Sequence, residues 1–208
     1  MKIHNVRVYG LEESIAASRY PMTINEIDMD CEVALNEAVE LQTPVAKKLG
    51  AAKSGSGHDC YLKGIVVQFD IKMSQLLYPQ ISRYHFIDFV SSMSKMHRIT
   101  KMDLEKAFHP NVDELIKLRF IDLVNLYNAA DGENEKSVKA ELLEKIYYSI
   151  PMGLEMTARM TTNYLQLKNI YFQRKTHRLK EWREVCYWIE SLPRFRELIL
   201  GEDISLYA

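Results

Sequence analysis

Two groups of side chains carry chemistry that an ordinary core or surface does not need. The first is Gln80-Ile81-Ser82-Arg83-Tyr84-His85, followed by Lys95. The second is Asn163, Asn169 and Arg174, late in the chain. Amides offer both donors and acceptors and so suit fixed hydrogen bonds, while a guanidinium presents a planar fork to phosphate or carbonyl oxygens. Between Thr157 and Arg183 stand seven Lys or Arg (Arg159, Lys168, Arg174, Lys175, Arg178, Lys180, Arg183) and one acid, Glu181. In a chain of formal net charge −1 this local surplus points to an anion nearby, either a nucleotide phosphate or a nucleic-acid backbone.

The elements that must position these groups follow from periodicity. Lys2 to Tyr9 reads as a first strand ending at Gly10, and Leu11 to Tyr20 as a short helix before Pro21. Asn25 to Leu49 is helical in character, with Gly50 as its stop. Ala51 to Gly57 is loop, without the spacing of a phosphate-binding P-loop. Val67, Phe69, Ile71 and Met73 alternate with Gln68, Asp70 and Lys72, the pattern of a strand with one face on the core. From Ser74 to about Val90 the period reads as helical. Asp113 to Asn128 is an amphipathic helix with Leu115, Leu118 and Val124 inward, broken at Asp131-Gly132. Glu135 to Tyr148, Leu154 to Gln173 and Leu179 to Ser191 are further helices. On a helical wheel over Leu154 to Arg174, Met156, Met160, Tyr164, Leu167 and Tyr171 form a core stripe. Arg159, Thr162, Asn163, Gln166, Asn169, Gln173 and Arg174 form a second arc without a carboxylate. That arc is either an exposed or subunit-facing polar stripe, or the wall of a site for a polar, anionic ligand.

Strands in the first third and helices thereafter give an α+β class, not an alternating βαβ one. The 208 residues, 47% of them hydrophobic, fit a single domain over 1–208 with a sizeable core. Cys31, Cys60 and Cys186 are odd in number and far apart, which excludes a disulfide framework and a zinc site and suits a reducing, cytoplasmic compartment. Neither a secretory h-region nor a run of membrane-spanning length is present. His85 and His97 lack helical spacing and a carboxylate partner, so no metal is expected. Lys95, His97, Arg98 and Lys101 read as a solvated basic face.

Four segments in order resemble the flavin-dependent thymidylate synthases. Ile15-Ala16-Ala17-Ser18-Arg19 is similar to an early Ala-Ala-Arg helix. Gly57-His58 with the Leu62 to Met73 strand is similar to the family's Gly-His and following strand. Gln80-x-x-Arg83-Tyr84-His85 stands where the family has Gln-x-x-Arg-His-Arg, and Pro151, Asn163, Asn169 and Arg174 match its C-terminal spacing. The resemblance implies a small antiparallel sheet packed with a predominantly helical C-terminal half, the fold of the thymidylate synthase-complementing proteins. It implies FAD contacts at His58, Arg83, Asn163 and Asn169, and nucleotide contacts at Gln80, Arg83, Lys95 and Arg174. Arg174 would be the catalytic group, aimed at a pyrimidine carbonyl edge. The implied reaction modifies C5 of a pyrimidine deoxynucleotide such as dUMP. Its co-substrates are methylenetetrahydrofolate and NADPH, in a homotetramer with sites shared between subunits.

The chain departs from the family pattern where the nucleotide is held. Tyr84 and His85 replace His and Arg, Met93 and Lys95 stand at the Ser and Arg of a later Ser-x-Arg-Tyr segment (a one-residue shift would instead use Ser92 or Ser94), Tyr147 and Leu165 replace arginines, and Lys63 replaces a Glu. The alternative is therefore a catalytically inactive protein on the same fold that binds a nucleotide or nucleic acid, and a structural oligomer is a third reading.

Overall fold

The computed structural model describes residues 1–130 and 136–202. Strands β1 (Lys2–Tyr9), β2 (Val66–Ser74), β3 (Ile87–Ser92) and β4 (Glu155–Asn163) make a four-stranded antiparallel sheet of order β1-β2-β4-β3. The helices are α1 (Leu11–Ala16), α2 (Glu32–Gly50), α3 (Tyr78–Ile81), α4 (Lys95–Arg98), α5 (Glu114–Ala129), α6 (Lys136–Tyr148), α7 (Tyr164–Arg174) and α8 (Lys180–Glu190). The α+β class expected from the sequence is the one observed. The expected break at Asp131-Gly132 and the helix start at Glu135 lie outside the described residues.

The chain forms two compact units, one of Met1–Lys2, Asp70–Tyr84 and Phe89–Arg159, the other of Ile3–Phe69, His85–Asp88 and Met160–Ala208. In the first, α5 and α6 close over a cluster that includes Phe108, Phe120, Leu123, Val124, Ile146 and Leu154. Phe108 meets Phe120 edge-on, ring centres 6.0 Å apart, a favoured aromatic geometry. Leu115 and Leu118, expected inward, are exposed (76% and 48%). Val124 is buried as expected, and the apolar stripe of α5 runs through it with Phe120 and Leu123, where the aromatic supplies the most area to bury.

In the second unit, α2 packs on α1 and on Ala17–Met22, and α7 packs on α8. Tyr61 donates to the Ala46 carbonyl at 2.8 Å. At Gly50 a Cβ would sit 2.4 Å from the Leu198 carbonyl oxygen, so only glycine allows this approach. Trp182, Tyr164 and Phe195 are fully buried, and the Tyr164 hydroxyl donates to the Pro193 carbonyl at 2.7 Å.

Parts of two expected helices are strands. Residues 155–163, read as the first half of a helix from Leu154, form β4. Met156, Met160 and Tyr164 are four residues apart, a spacing that keeps one face in a helix and also one parity in a strand. The threonines 157, 161 and 162, stiff at χ1, favour the extended form, and burial alternates through Met156, Ala158, Met160 and Thr162. Arg159, assigned to the polar stripe of that helix, instead pairs with Asp70 at 3.3 Å, joining neighbouring strands β4 and β2. The helix expected from Ser74 to Val90 is reduced to α3, and Ile87–Ser92 is β3. Asn25 to Cys31 likewise stands outside α2, which starts where the Cys31 sulfur accepts from the Ala34 N–H at 3.5 Å.

Candidate functional site

The end of β4 and the start of α7 organise the late residues. Asn163 is the N-cap of α7: its Oδ1 accepts from the Gln166 N–H at 2.9 Å, satisfying one of the orphan donors of a helix start. Asn-x-x-Gln at this point is a capping signature, the signal in the sequence that marks the change from strand to helix. Asn169 lies half-buried two turns further on, and Arg174 in the last turn. The Arg174 guanidinium lies over the Trp182 ring, 4.8 Å from its centre, so its plane is oriented by α8. Nearby, His177 is held below the ordinary imidazole pKa by burial and by Arg174, Arg178 and Arg183.

A second element of this unit is the loop that carries His58. Gly57 has φ +80°, a left-handed turn that glycine adopts without strain. His58 is exposed, but Asp59 beside it is buried, and Asp59 accepts from the Lys168 ammonium at 2.5 Å. The same ammonium donates to the Ala52 carbonyl at 2.6 Å. Lys168 precedes Asn169 on α7, so one buried ion pair fixes the His58 loop to the helix that bears Asn169. Sequence reasoning missed this pair. Lys168 falls on the buried stripe of Tyr164, Leu167 and Tyr171, and a lysine there demands a buried partner. His58 also lines a cavity of about 920 Å3, together with Ala17, Ser18, Arg19, Val45 and Leu49. Two segments of the family resemblance, Ala16-Ala17-Ser18-Arg19 and Gly57-His58, thus meet in one cavity of one unit.

The early residues lie in the other unit. Gln80, in α3, is half-buried and donates back to the Leu76 carbonyl at 3.1 Å. Arg83 is exposed in the turn after α3. Lys95, the first residue of α4, donates to the buried Gln75 side chain at 2.6 Å. Ser94 caps α4, and the Tyr147 hydroxyl donates to the Met96 carbonyl at 2.8 Å, so Tyr147 braces this segment. His97, Arg98 and Lys101, expected as a solvated face, are exposed and line an open cavity of about 630 Å3 with Ser92 and Ser94. Asp103 also lines it and is paired with Lys106 at 2.8 Å, so the cavity carries three basic side chains, hydroxyls and one neutralised carboxylate.

The seven expected site residues therefore fall into two sets. His58, Asn163, Asn169 and Arg174 belong to one unit, and Gln80, Arg83 and Lys95 to the other. Among the described residues no group of three or more His, Cys, Asp and Glu is arranged to hold a metal ion, and no helix is long and apolar enough to cross a membrane.

No family model matches the sequence, and no curated protein matches it. Solved structures do. The flavin-dependent thymidylate synthase ThyX from Helicobacter pylori, complexed with FAD and dUMP, is similar at a TM-score of 0.68 and 15% identity, over 95% of this chain and 96% of that one. A second structure of Helicobacter pylori ThyX with FAD and dUMP gives 0.66 and 14% over the same shares. Across nearly its whole length, the chain shares its fold with these flavin-dependent thymidylate synthases.

Proposed function

We propose that this protein is a divergent flavin-dependent enzyme of the thymidylate synthase type, acting at C5 of a pyrimidine deoxynucleotide. One observation carries the reading. On a fold that in ThyX is complexed with FAD and dUMP, His58, Asn163, Asn169 and Arg174 share one unit, with the His58 loop ion-paired to α7.

The donor set fits a flavin. A half-buried amide at Asn169, an imidazole at His58 and a largely apolar cavity behind it match a planar ring with amide-like edges. His58, Arg83, Asn163 and Asn169 would hold FAD, and bound FAD would supply the hydride while methylenetetrahydrofolate gives the carbon and NADPH the reducing equivalents. The capping bond already occupies Asn163 Oδ1, which leaves its amide N–H groups to donate to a ligand carbonyl. Arg174, held over the Trp182 ring, would place fixed positive charge at the pyrimidine carbonyl edge as negative charge develops there. Gln80, Arg83 and Lys95 would hold the nucleotide, with Lys95 oriented by Gln75. A homotetramer would supply the two sets to shared sites from different subunits.

The test is flavin uptake. The purified protein is expected to bind FAD, with retention lost in Asn169→Ala and Arg83→Ala. A protein that remains colourless after incubation with FAD refutes the reading. The basic basin of His97, Arg98 and Lys101 favours a second reading, a nucleotide- or nucleic-acid-binding protein without catalysis. It expects binding with a steep salt slope that FAD does not affect.

A further inference from the structure

We propose that the groove between α5 and α6 docks an acidic amphipathic helix of a partner protein, its apolar side chains seated on Leu115, Ile116 and Phe120 and its carboxylates on Arg119 and Lys145. The groove encloses about 460 Å3, and none of the seven expected site residues lines it. Its floor is Phe120 and Leu123, 2% and 9% exposed, and its rim is Leu115 and Ile116, 76% and 53% exposed. Covering large apolar side chains is favourable, and a surface that presents them together marks an interaction site. The backbone under the rim is fixed. The Asp113 carboxylate caps α5 by accepting from the Leu115 and Ile116 N–H groups at 2.9 and 3.4 Å. Anchors already held in place lose little entropy when a partner covers them.

Charge selects the partner. Arg119 follows Leu115 by four residues, so the two share a face of α5. Lys145 lines the groove from α6, together with Ser149, whose N–H donates to the Lys145 carbonyl at 3.0 Å. Both cations are exposed, and neither is paired with an acid among the described residues. No carboxylate lines the groove, and Glu114 at the start of α5 is taken by Lys117 at 3.1 Å. Two uncompensated positive charges beside an apolar stripe complement carboxylates that flank an apolar stripe. The exposed rim favours a helix over a small amphiphile. A small-molecule site buries most of its ligand, whereas walls more than half exposed leave one side of an occupant in water. A helix uses that geometry, with anchors at i, i+4 and i+7 in the groove and its polar face outward.

The test uses the full chain and a fluorescein-labelled, Ala-rich peptide of about 18 residues, long enough to hold a helix in water. Leu stands at i, i+4 and i+7 with Glu beside each, and a control peptide carries Lys in place of every Glu. Fluorescence anisotropy is expected to show the Glu peptide binding about tenfold or more tightly than the Lys peptide. Arg119→Glu combined with Lys145→Glu should invert that preference. Both side chains are exposed, so the melting temperature of the free protein should stay close to the parent's. Leu115→Gln combined with Ile116→Gln removes apolar area without adding charge and should weaken the Glu peptide about tenfold. Absence of Glu-peptide binding overturns the proposal. Equal binding of the two peptides does so too, as does a preference that the charge-reversed variant keeps. Two other occupants give distinct results, and each also overturns it. An oligomer seen by sedimentation equilibrium and lost in the Leu115→Gln, Ile116→Gln variant assigns the groove to a second copy of the chain. Thermal stabilisation by dodecanoate that the charge-reversed variant loses, without peptide binding, assigns it to an acyl anion.

Discussion

Lys168 Nζ lies 2.5 Å from Asp59 Oδ2, with the two side chains 1% and 3% exposed. Two opposite charges out of water make a tolerable arrangement only together. Removing one leaves the other desolvated and uncompensated, at a cost of about 3–5 kcal/mol. Lys168→Met is expected to lose stability of that order in urea unfolding. Asp59→Asn combined with Lys168→Met should recover much of it, a coupling that a double-mutant cycle measures. Because the pair also fixes the His58 loop, Lys168→Met should weaken any ligand that touches His58.

A second relationship holds the turn after Arg83. Phe86 has φ +63°, a strained conformation for a bulky residue, and its carbonyl accepts from the Thr162 hydroxyl at 2.7 Å. Thr162→Val keeps the shape and removes the bond, so it should cost about 1 kcal/mol. Phe86 is 69% exposed, so Phe86→Gly loses little burial and relieves the strain. It should change stability by less than about 1 kcal/mol, because the gain offsets the backbone entropy of glycine. Urea midpoints of the two variants test both statements.

Arg174 can be separated from the fold. Its stacking on Trp182 is half-exposed and worth about 0.5–1 kcal/mol. Arg174→Ala should therefore unfold within a few degrees of the parent while losing dUMP-induced stabilisation in a thermal shift. A variant that still gains stability from dUMP would remove Arg174 from the nucleotide site.

One buried thiol and one buried phenol make stability fall at alkaline pH. Burial, reinforced by Glu190, pushes the Cys186 thiol up to about 11, and burial with the hydrogen bond to Glu190 pushes Tyr171 up to about 12. Both groups release protons more readily when unfolded. Their contribution is complete below the ordinary thiol and phenol values and is lost as pH rises through the folded values. Urea midpoints should fall steadily from about pH 9 upward. At pH 8 a disulfide reagent should react quickly with Cys31 and Cys60, and with Cys186 only after unfolding.

The fold that solved structures share with this chain was legible in the order of four short segments, which survives substitution. Asn163, Asn169 and Arg174 keep their spacing whether or not the intervening backbone is read correctly. Secondary structure at 155–163 was not legible, because a four-residue repeat satisfies strand and helix alike. The sheet decides between them, since β4 lies between β2 and β3 and its backbone groups must pair with both.

By itself the sequence determined the α+β class, the alternating face of β2 and the late basic surplus. These depend on local periodicity and on composition, which no partner is needed to express. Only the tertiary structure decided that Lys168 belongs with Asp59, 109 residues away, and that Arg159 answers Asp70. Those outcomes depend on which groups desolvate together, and burial is a property of the packed chain rather than of any one segment.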